Sequence, residues 1–109
     1  MNPISPVRIH FLLCERMLAT SSTLPMEMLM AAESAARSLY SNEHQPPLDI
    51  KTISLTDTPV ATRTGLLWQP DTTIGRKPAS DLIYIPGLWR NPRPAVQKHK
   101  ETLTWLREQ

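Results

Sequence analysis

Two groups of residues whose types could take part in chemistry follow apolar runs of strand length. Cys14 and Glu15 follow the first run, and Gly87, Leu88 and Trp89 follow a later run that ends in a Pro-Gly turn. In open α/β sheets, ligands bind outside the carboxyl ends of the strands, so these residues predict a binding site. Glycine permits the φ values that aim successive backbone N–H groups at one point, so the second group could hold an anion or a carbonyl oxygen.

Cys14 is the one thiol of the chain, and it could be a nucleophile only in a cationic environment or beside a base. The nearest histidine, His10, lies on the same predicted strand roughly 13 Å away, which is too far for a proton transfer. We therefore predict that Cys14 is a small buried hydrophobic residue. His44 and His99 have no second ligand at metal-binding spacing, so neither a metal nor a cofactor is predicted.

The segment after Cys14 supplies two further candidate ligand-binding residues, Ser21 and Glu27. Ser21 belongs to a Ser-Ser-Thr cluster, and its oxygens are expected to cap a helix that opens at Pro25, because proline suits a first helical turn. Glu27 then falls in that first turn, where the helix dipole favours a carboxylate. The methionines of this region, such as Met28, are expected to fill the core.

The composition is that of one small globular domain. Of 109 residues, 40% are hydrophobic and 20% charged, and the net charge of +2 is too small to indicate a nucleic-acid-binding face. A single cysteine excludes an internal disulfide and favours a reducing compartment, so the cytoplasm is the expected location. The first apolar run is too short to span a bilayer, and no membrane association is expected.

The first half of the chain predicts a βαβ unit. Val7 to Cys14 is a nearly continuous apolar run and is expected to form a central strand. A helix is expected from Pro25 to about Asn42, and a half-exposed strand from Asp49 to Leu55. The apolar positions of the helix recur at helical spacing: Leu24, Met28, Ala32, Ala35 and Leu39.

The second half predicts a hairpin, a strand and a helix. Residues 60–62 and 66–68 flank Gly65 as in a short hairpin, and residues 71–80 form a polar connection without periodicity. Asp81 to Gly87 is expected to be a central strand that is covered on both faces. The last helix is expected to bury one face, with Trp105 near its edge: Val96, His99, Leu103 and Leu106. Alternating strands and helices predict an α/β fold with a parallel sheet, of flavodoxin-like or Rossmann-like architecture.

These segments together resemble a known family. Residues 7–14, the helix start at 24–29, and residues 81–87 followed by 103–106 resemble the N-terminal domain of GlxA-type AraC/XylS transcription regulators. That domain belongs to the ThiJ/PfpI superfamily, which is similar to class I glutamine amidotransferases. The resemblance covers nearly all of residues 1–109 and implies a flavodoxin-like three-layer sandwich, present as roughly its first half.

The resemblance also implies a function. In the family, this domain senses a small molecule or mediates dimerisation, and a C-terminal helix-turn-helix pair, which residues 1–109 lack, binds DNA. A homo-oligomer with a small-molecule effector is therefore expected, with DNA contacted only through that further domain. Two alternatives stay open: a ThiJ/PfpI-type hydrolase or hydratase fragment, and a free-standing fragment that completes its sheet by pairing with another copy.

Three departures from the enzymatic relatives argue against catalysis. The tight turn that holds their cysteine nucleophile would follow the last residue of this chain. The acid that hydrogen-bonds their nucleophile corresponds here to Ser21, which has no carboxylate. A second glycine of their oxyanion site corresponds to Leu88, whose side chain interferes with such a site. The resemblance thus implies a domain without catalytic residues.

Overall fold

The computed structural model of the chain describes residues 5–40, 45–88 and 93–109, and it contains both strands and helices. In chain order the elements are β1 (Val7–Leu12), α1 (Thr20–Leu39), β2 (Leu48–Ser54), β3 (Val60–Ala61), β4 (Leu67–Trp68), β5 (Thr72–Thr73), β6 (Leu82–Tyr84), α2 (Arg93–Lys98) and α3 (Lys100–Arg107). The predicted βαβ unit, hairpin, later strand and C-terminal helical region are all present. The hairpin turns at Gly65, which has a φ of 87°.

The main sheet has four strands in the order β5-β2-β1-β6, and every neighbouring pair is parallel. β1 lies between β2 and β6, with Ile9 opposite Ile50 on one side and Leu82 on the other. The predicted α/β fold with a mostly parallel sheet is therefore confirmed. The prediction that the strand from Asp81 lies centrally is wrong: within the described ranges β6 pairs only with β1, and Leu82 is 49% exposed.

Two aspartates fix the register of the short outer strands. Asp81, directly before β6, accepts a hydrogen bond from the backbone N–H of Arg8 at 2.9 Å, and its own N–H donates to the Arg8 carbonyl oxygen at 2.9 Å. Asp71, directly before β5, does the same on β2, where its carboxylate accepts the N–H of Thr52 at 2.8 Å. Each carboxylate satisfies an amide at the point where a short strand starts. β5 itself was not predicted, since residues 71–80 read only as a polar connection.

Helices cover both faces of the sheet. Alternate residues of a strand point to opposite faces, so His10 and Phe11 face different layers. Against His10, the Trp105 ring of α3 packs edge-on with the ring centroids 6.0 Å apart. Phe11 is fully buried on the other face, where its ring stacks on Tyr84. α1 covers that face as the crossover from β1 to β2, and its Glu33 carboxylate accepts the N–H of Leu48.

α1 begins five residues earlier than predicted. It starts at Thr20, so Pro25 lies inside the helix, and the N-cap residue is Ala19, which makes no side-chain cap hydrogen bond. The expected capping by the Ser21 cluster is therefore wrong. Proline is compatible with helical φ, and here its missing N–H removes only the bond to the carbonyl of Ser21. The helix ends at Leu39, and Asn42 lies outside the described residues.

The predicted apolar face of α1 does not pack on the sheet. Met28 is 63% exposed and Leu39 75% exposed, whereas the side toward the sheet carries Ser22 and the partly buried Glu33. The expectation that Met28 fills the core is thus wrong, although Met17 is fully buried. Periodicity shows that a helix has an apolar side, but it does not show which side meets the sheet.

The C-terminal helix buries only part of the predicted face: His99 is half-buried, and Leu106 packs half-buried against the hydrophobic cluster. It breaks at His99 into α2 and α3, and α3 buries Thr102 and Trp105. Trp105 belongs to the central hydrophobic cluster, and its indole N–H donates to the Pro78 carbonyl oxygen at 3.0 Å. Val96 and Leu103, which were expected to be buried, are exposed.

The burial of His10 predicts that stability depends on pH. Among the described residues its Nδ1 has no hydrogen-bond partner, and burial lowers the pKa of His10 below its usual value; Asp49 opposes this shift, while Lys51 and Arg8 add to it. The unfolded chain then binds a proton more readily than the folded chain. We expect full stability above about pH 6.5 and a falling free energy of unfolding below it, measured by urea denaturation at several pH values.

His99 supplies the control for this prediction, because its pKa is also lowered by burial. The variant His10→Leu should show a shallower loss of stability between about pH 6.5 and pH 5. In His99→Gln, the free energy of unfolding should still fall with decreasing pH, because His10 is retained. An unchanged slope in His10→Leu would contradict the assignment.

Candidate functional site

The carboxyl end of β1 is closed by a turn and by the hairpin. The N–H of Met17 donates to the Cys14 carbonyl oxygen at 3.1 Å, with Arg16 at a φ of 64°. The hairpin is bonded to this turn twice, from the Arg16 N–H to the Ala61 carbonyl oxygen and from the Arg63 N–H to the Met17 carbonyl oxygen, each at 2.8 Å. The hairpin therefore lies at the carboxyl end of β1, which is the side of a parallel sheet where ligands usually bind.

Ser21 ties the start of α1 to the loop after β6. The Gly87 N–H donates to Ser21 Oγ at 2.8 Å, and the Ser21 hydroxyl donates to the Leu18 carbonyl oxygen at 2.6 Å. The Leu18 N–H in turn donates to the Gly87 carbonyl oxygen at 2.9 Å. A Cβ on Gly87 would lie only 3.3 Å from the Cβ of Ser21. The Ser21 hydroxyl thus accepts the hydrogen bond of the Gly87 N–H, which the sequence predicted as a donor to a bound anion.

Leu88 continues this contact. It forms an isolated antiparallel bridge with Met17 and packs, half-buried, against the hydrophobic cluster. The loop after β6 is therefore joined to the segment after β1 by backbone and apolar contacts. Trp89, the aromatic candidate of this loop, lies outside the described residues.

Cys14 is part of the hydrophobic core. It is buried in one cluster with Leu13, Met17 and Val60, the last of which comes from the hairpin. Burial raises the pKa of Cys14 to about 11, so the thiol is protonated at neutral pH. A protonated thiol without access to solvent is a poor nucleophile.

The two candidate carboxylates lie apart from Ser21 and Gly87. Glu15 pairs with Lys98 across a distance of 3.0 Å, and both side chains are more than half exposed. Glu27 is exposed on α1, beyond the first turn in which it was expected, because the helix starts at Thr20. The structure thus brings Ser21, Gly87 and Leu88 together and leaves Glu15 and Glu27 outside that group.

A cavity that the sequence did not predict lies at the carboxyl ends of β1 and β2. It has a volume of about 180 Å³ and is called the β1/β2 cavity here. Six polar residues line it: Glu15, Ser54, Thr56, Thr58, Lys98 and His99. The rule that ligands bind at strand ends would have pointed to Ser54, but only tertiary packing brings Lys98 and His99 to the same place.

No group of three His, Cys, Asp or Glu side chains in residues 5–40, 45–88 and 93–109 is placed to hold a metal ion. His44 lies outside these ranges. Within the same part of the chain, no helix combines the length and the apolar character that crossing a membrane requires.

Solved structures share this fold. An AraC family transcriptional regulator from Pseudomonas putida is 25% identical with a TM-score of 0.58, over 80% of this chain and 50% of that one. DJ-1 from Toxoplasma gondii is 16% identical to this chain with a TM-score of 0.66, and the match covers 94% of this chain and 49% of that one. A DJ-1 superfamily protein from Agrobacterium tumefaciens is 23% identical to this chain with a TM-score of 0.57, and the match covers 94% of this chain and 48% of that one. No protein-family model matches the chain, and no curated protein matches it.

The chain therefore spans about half the length of each of these structures. An AraC family regulator and DJ-1 superfamily proteins are the kinds of protein that the sequence resemblance pointed to. The predicted resemblance to the ThiJ/PfpI domain of AraC-type regulators and its flavodoxin-like fold are thus confirmed.

The bond between Ser21 and Gly87 predicts a contrast between two adjacent serines. Ser21→Ala removes the acceptor of the Gly87 N–H and should lower the free energy of unfolding by about 1–2 kcal/mol. Ser22 is fully buried and its Oγ has no hydrogen-bond partner in the described part of the chain, so Ser22→Ala should leave stability unchanged or raise it. Urea denaturation of both variants measures this difference. Equal effects of the two substitutions would show that the bond does not hold the loop.

The environment of Cys14 predicts a slow thiol. With a pKa of about 11 and a buried side chain, Cys14 in the folded chain should react with DTNB at neutral pH at least about 100-fold more slowly than in urea. The absorbance of the released thiolate gives both rates. Rapid labelling of the folded chain would contradict the assignment of Cys14 to the core.

Proposed function

We propose that this domain is the non-catalytic, dimerising part of an AraC-type transcription regulator, with ligand sensing as an accompanying role. The observation that carries the proposal is an exposed apolar stripe along α1, called the α1 stripe. Five residues form it: Leu24, Met28, Ala32, Ala35 and Leu39. The AraC family regulator among the structures with this fold supports the regulatory context.

The spacing of the α1 stripe suits a second helix. Residues three and four apart lie on one face of a helix, and these five positions follow that spacing. At about 1.5 Å per residue, the stripe extends for roughly 22 Å, which fits a dimer interface of about 800 Å² per partner. Small alanines lie between larger ends, so an antiparallel second copy could place Leu24 near Leu39 of its partner. Exposed apolar patches of this kind mark interaction sites.

The surroundings of β1 support the non-catalytic part of the proposal. Burial is what raises the pKa of Cys14, and within residues 5–40, 45–88 and 93–109 no cation or base contributes to its thiol. Ser21, in the position of the enzymatic acid, donates to a carbonyl and accepts from Gly87, so it acts as a structural link. Neither contact favours the hydrolase or hydratase alternative.

The free edge of β6 favours a second candidate, a fragment that self-associates through its sheet. Within the described residues β6 has one strand partner, and Leu82 of this strand and Ile85 directly after it are exposed. An unpaired strand edge can accept a strand from another copy. The α1 stripe is longer and more apolar, so we place the principal dimer contact there. DNA binding through a further domain and a cytoplasmic location stay predictions.

Breaking the α1 stripe should separate the dimer. Met28→Glu places a charge in its middle and should raise the dimer dissociation constant at least about tenfold without loss of helical content. Ser34→Glu is the matched control, because Ser34 is exposed on another side of the same helix. Light scattering after size exclusion gives the mass, and circular dichroism gives the fold.

Three outcomes oppose this proposal. The wild-type chain could be monomeric at high concentration, or Ser34→Glu could weaken the dimer as much as Met28→Glu does. A dimer that resists Met28→Glu but dissociates in Leu82→Lys would instead establish association through the β6 edge.

A further inference from the structure

The β1/β2 cavity is a concave space that the dimer contact does not use. Leu13 and Glu15 line it from the end of β1, Ser54 from the end of β2, and Lys98 and His99 from the junction of α2 and α3. Its volume of about 180 Å³ is the room of roughly six water molecules at liquid density, so it suits a small molecule. It lies between β1 and β2, away from the β1/β6 side where Ser21 meets Gly87.

Ser54 is a polar residue in the lining of this cavity, and it is only 4% exposed. Its hydroxyl carries one hydrogen that it can donate, so a ligand atom that accepts this hydrogen would be favoured. The hydroxyls of Thr56 and Thr58 lie 2.8 Å apart, so one donates to the other and a single hydrogen of the pair is free.

His99 can add another donor. Its Nδ1 lies 2.9 Å from Oγ1 of the buried Thr102. When the Thr102 hydroxyl donates to Nδ1, the ring carries its proton on Nε2 and can donate it to a ligand. Burial lowers the pKa of His99, with Lys98 adding to the shift and Glu15 opposing it, which favours the neutral ring at pH 7.

The charged pair at the rim leaves a cation available. Lys98 donates to Glu15 at 3.0 Å, but an ammonium has three donors, so it can hold a second anionic group at the same time. The pair is exposed and contributes little to stability, so its rearrangement costs little. The polar lining thus combines one cation, Lys98, with hydroxyl and ring N–H donors, and its one carboxylate, Glu15, is engaged with Lys98.

The rest of the lining is apolar. Leu13 and Val60 are buried core residues, and Leu55 and Pro59 complete this side of the cavity. From these contacts we infer that the β1/β2 cavity binds a small organic carboxylate with a short apolar tail. The carboxylate lies near Lys98 and Ser54, and the tail packs against Leu13 and Val60. This inference rests on the proposed function in one respect: it specifies the ligand for the proposed sensing role.

The probe for this site is isobutyrate, with isobutyramide as its neutral isostere and valine as its zwitterionic relative. Amide NMR titration of the 109-residue chain should show isobutyrate shifting signals of residues 54–60 and 98–102. Isobutyramide should bind at least about tenfold more weakly, because charge-assisted hydrogen bonds are the stronger ones. Equal binding of the amide, tighter binding of valine, or no shift at these residues would overturn the proposal.

Variants separate the site from general effects. Lys98→Gln and Ser54→Ala should each weaken isobutyrate binding by about tenfold, whereas Glu15→Gln should preserve or strengthen it. Lys100→Gln removes an exposed neighbouring cation that does not line the cavity and should leave binding unchanged. Equal losses in Lys98→Gln and Lys100→Gln would indicate non-specific attraction and refute the site. Because Met28→Glu lies outside the cavity, failure of binding and failure of dimerisation are measured independently.

Discussion

β1 is hydrogen-bonded along both of its edges, to β2 and to β6, and the residues on both of its faces are buried. A strand in this position has to be apolar throughout, as the run from Ile9 to Leu13 largely is. His10 is the exception: its ring packs edge-on against Trp105, and its Nδ1 has no hydrogen-bond partner among the residues that the structure describes. The parallel pairing of β1 fixes where its carboxyl end lies, and the remaining features of the protein are arranged around that end.

The hairpin and the link between Ser21 and Gly87 close the carboxyl end of β1. The hairpin bonds to the turn after β1 and buries Cys14, and the loop after β6 is tied to the start of α1 through Ser21 and Gly87. The open space lies one strand further along the sheet, between β1 and β2, where Ser54 and Lys98 line a cavity. A buried, protonated Cys14, an exposed stripe on α1 and a side cavity are the features from which association and sensing are proposed.

Local patterns in the sequence were enough to predict β1, β2, the strand from Asp81 and the hairpin at Gly65, because apolar runs and a turn glycine act over a few residues. They could not show that β6 lies at an edge, since an apolar run indicates burial but does not show which strands are its neighbours. The two-residue β5 depends on the contact of Asp71 with Thr52, which no periodicity reveals. The site also depends on a contact between residues that are far apart in the sequence. Ser21 and Gly87 are 66 residues apart, and Ser21 Oγ accepts the Gly87 N–H that was predicted to bind an anion.

The most direct test of this account is a set of NOEs across β1 in the 109-residue chain. The structure predicts parallel cross-strand contacts from His10 to Lys51 on one side and from His10 to Ile83 on the other. The observation of both sets would establish β1 as the inner strand on which the closed site, the cavity and the crossover helix depend. Contacts to β2 without any to β6, or helical NOEs in residues 82–84, would contradict the account.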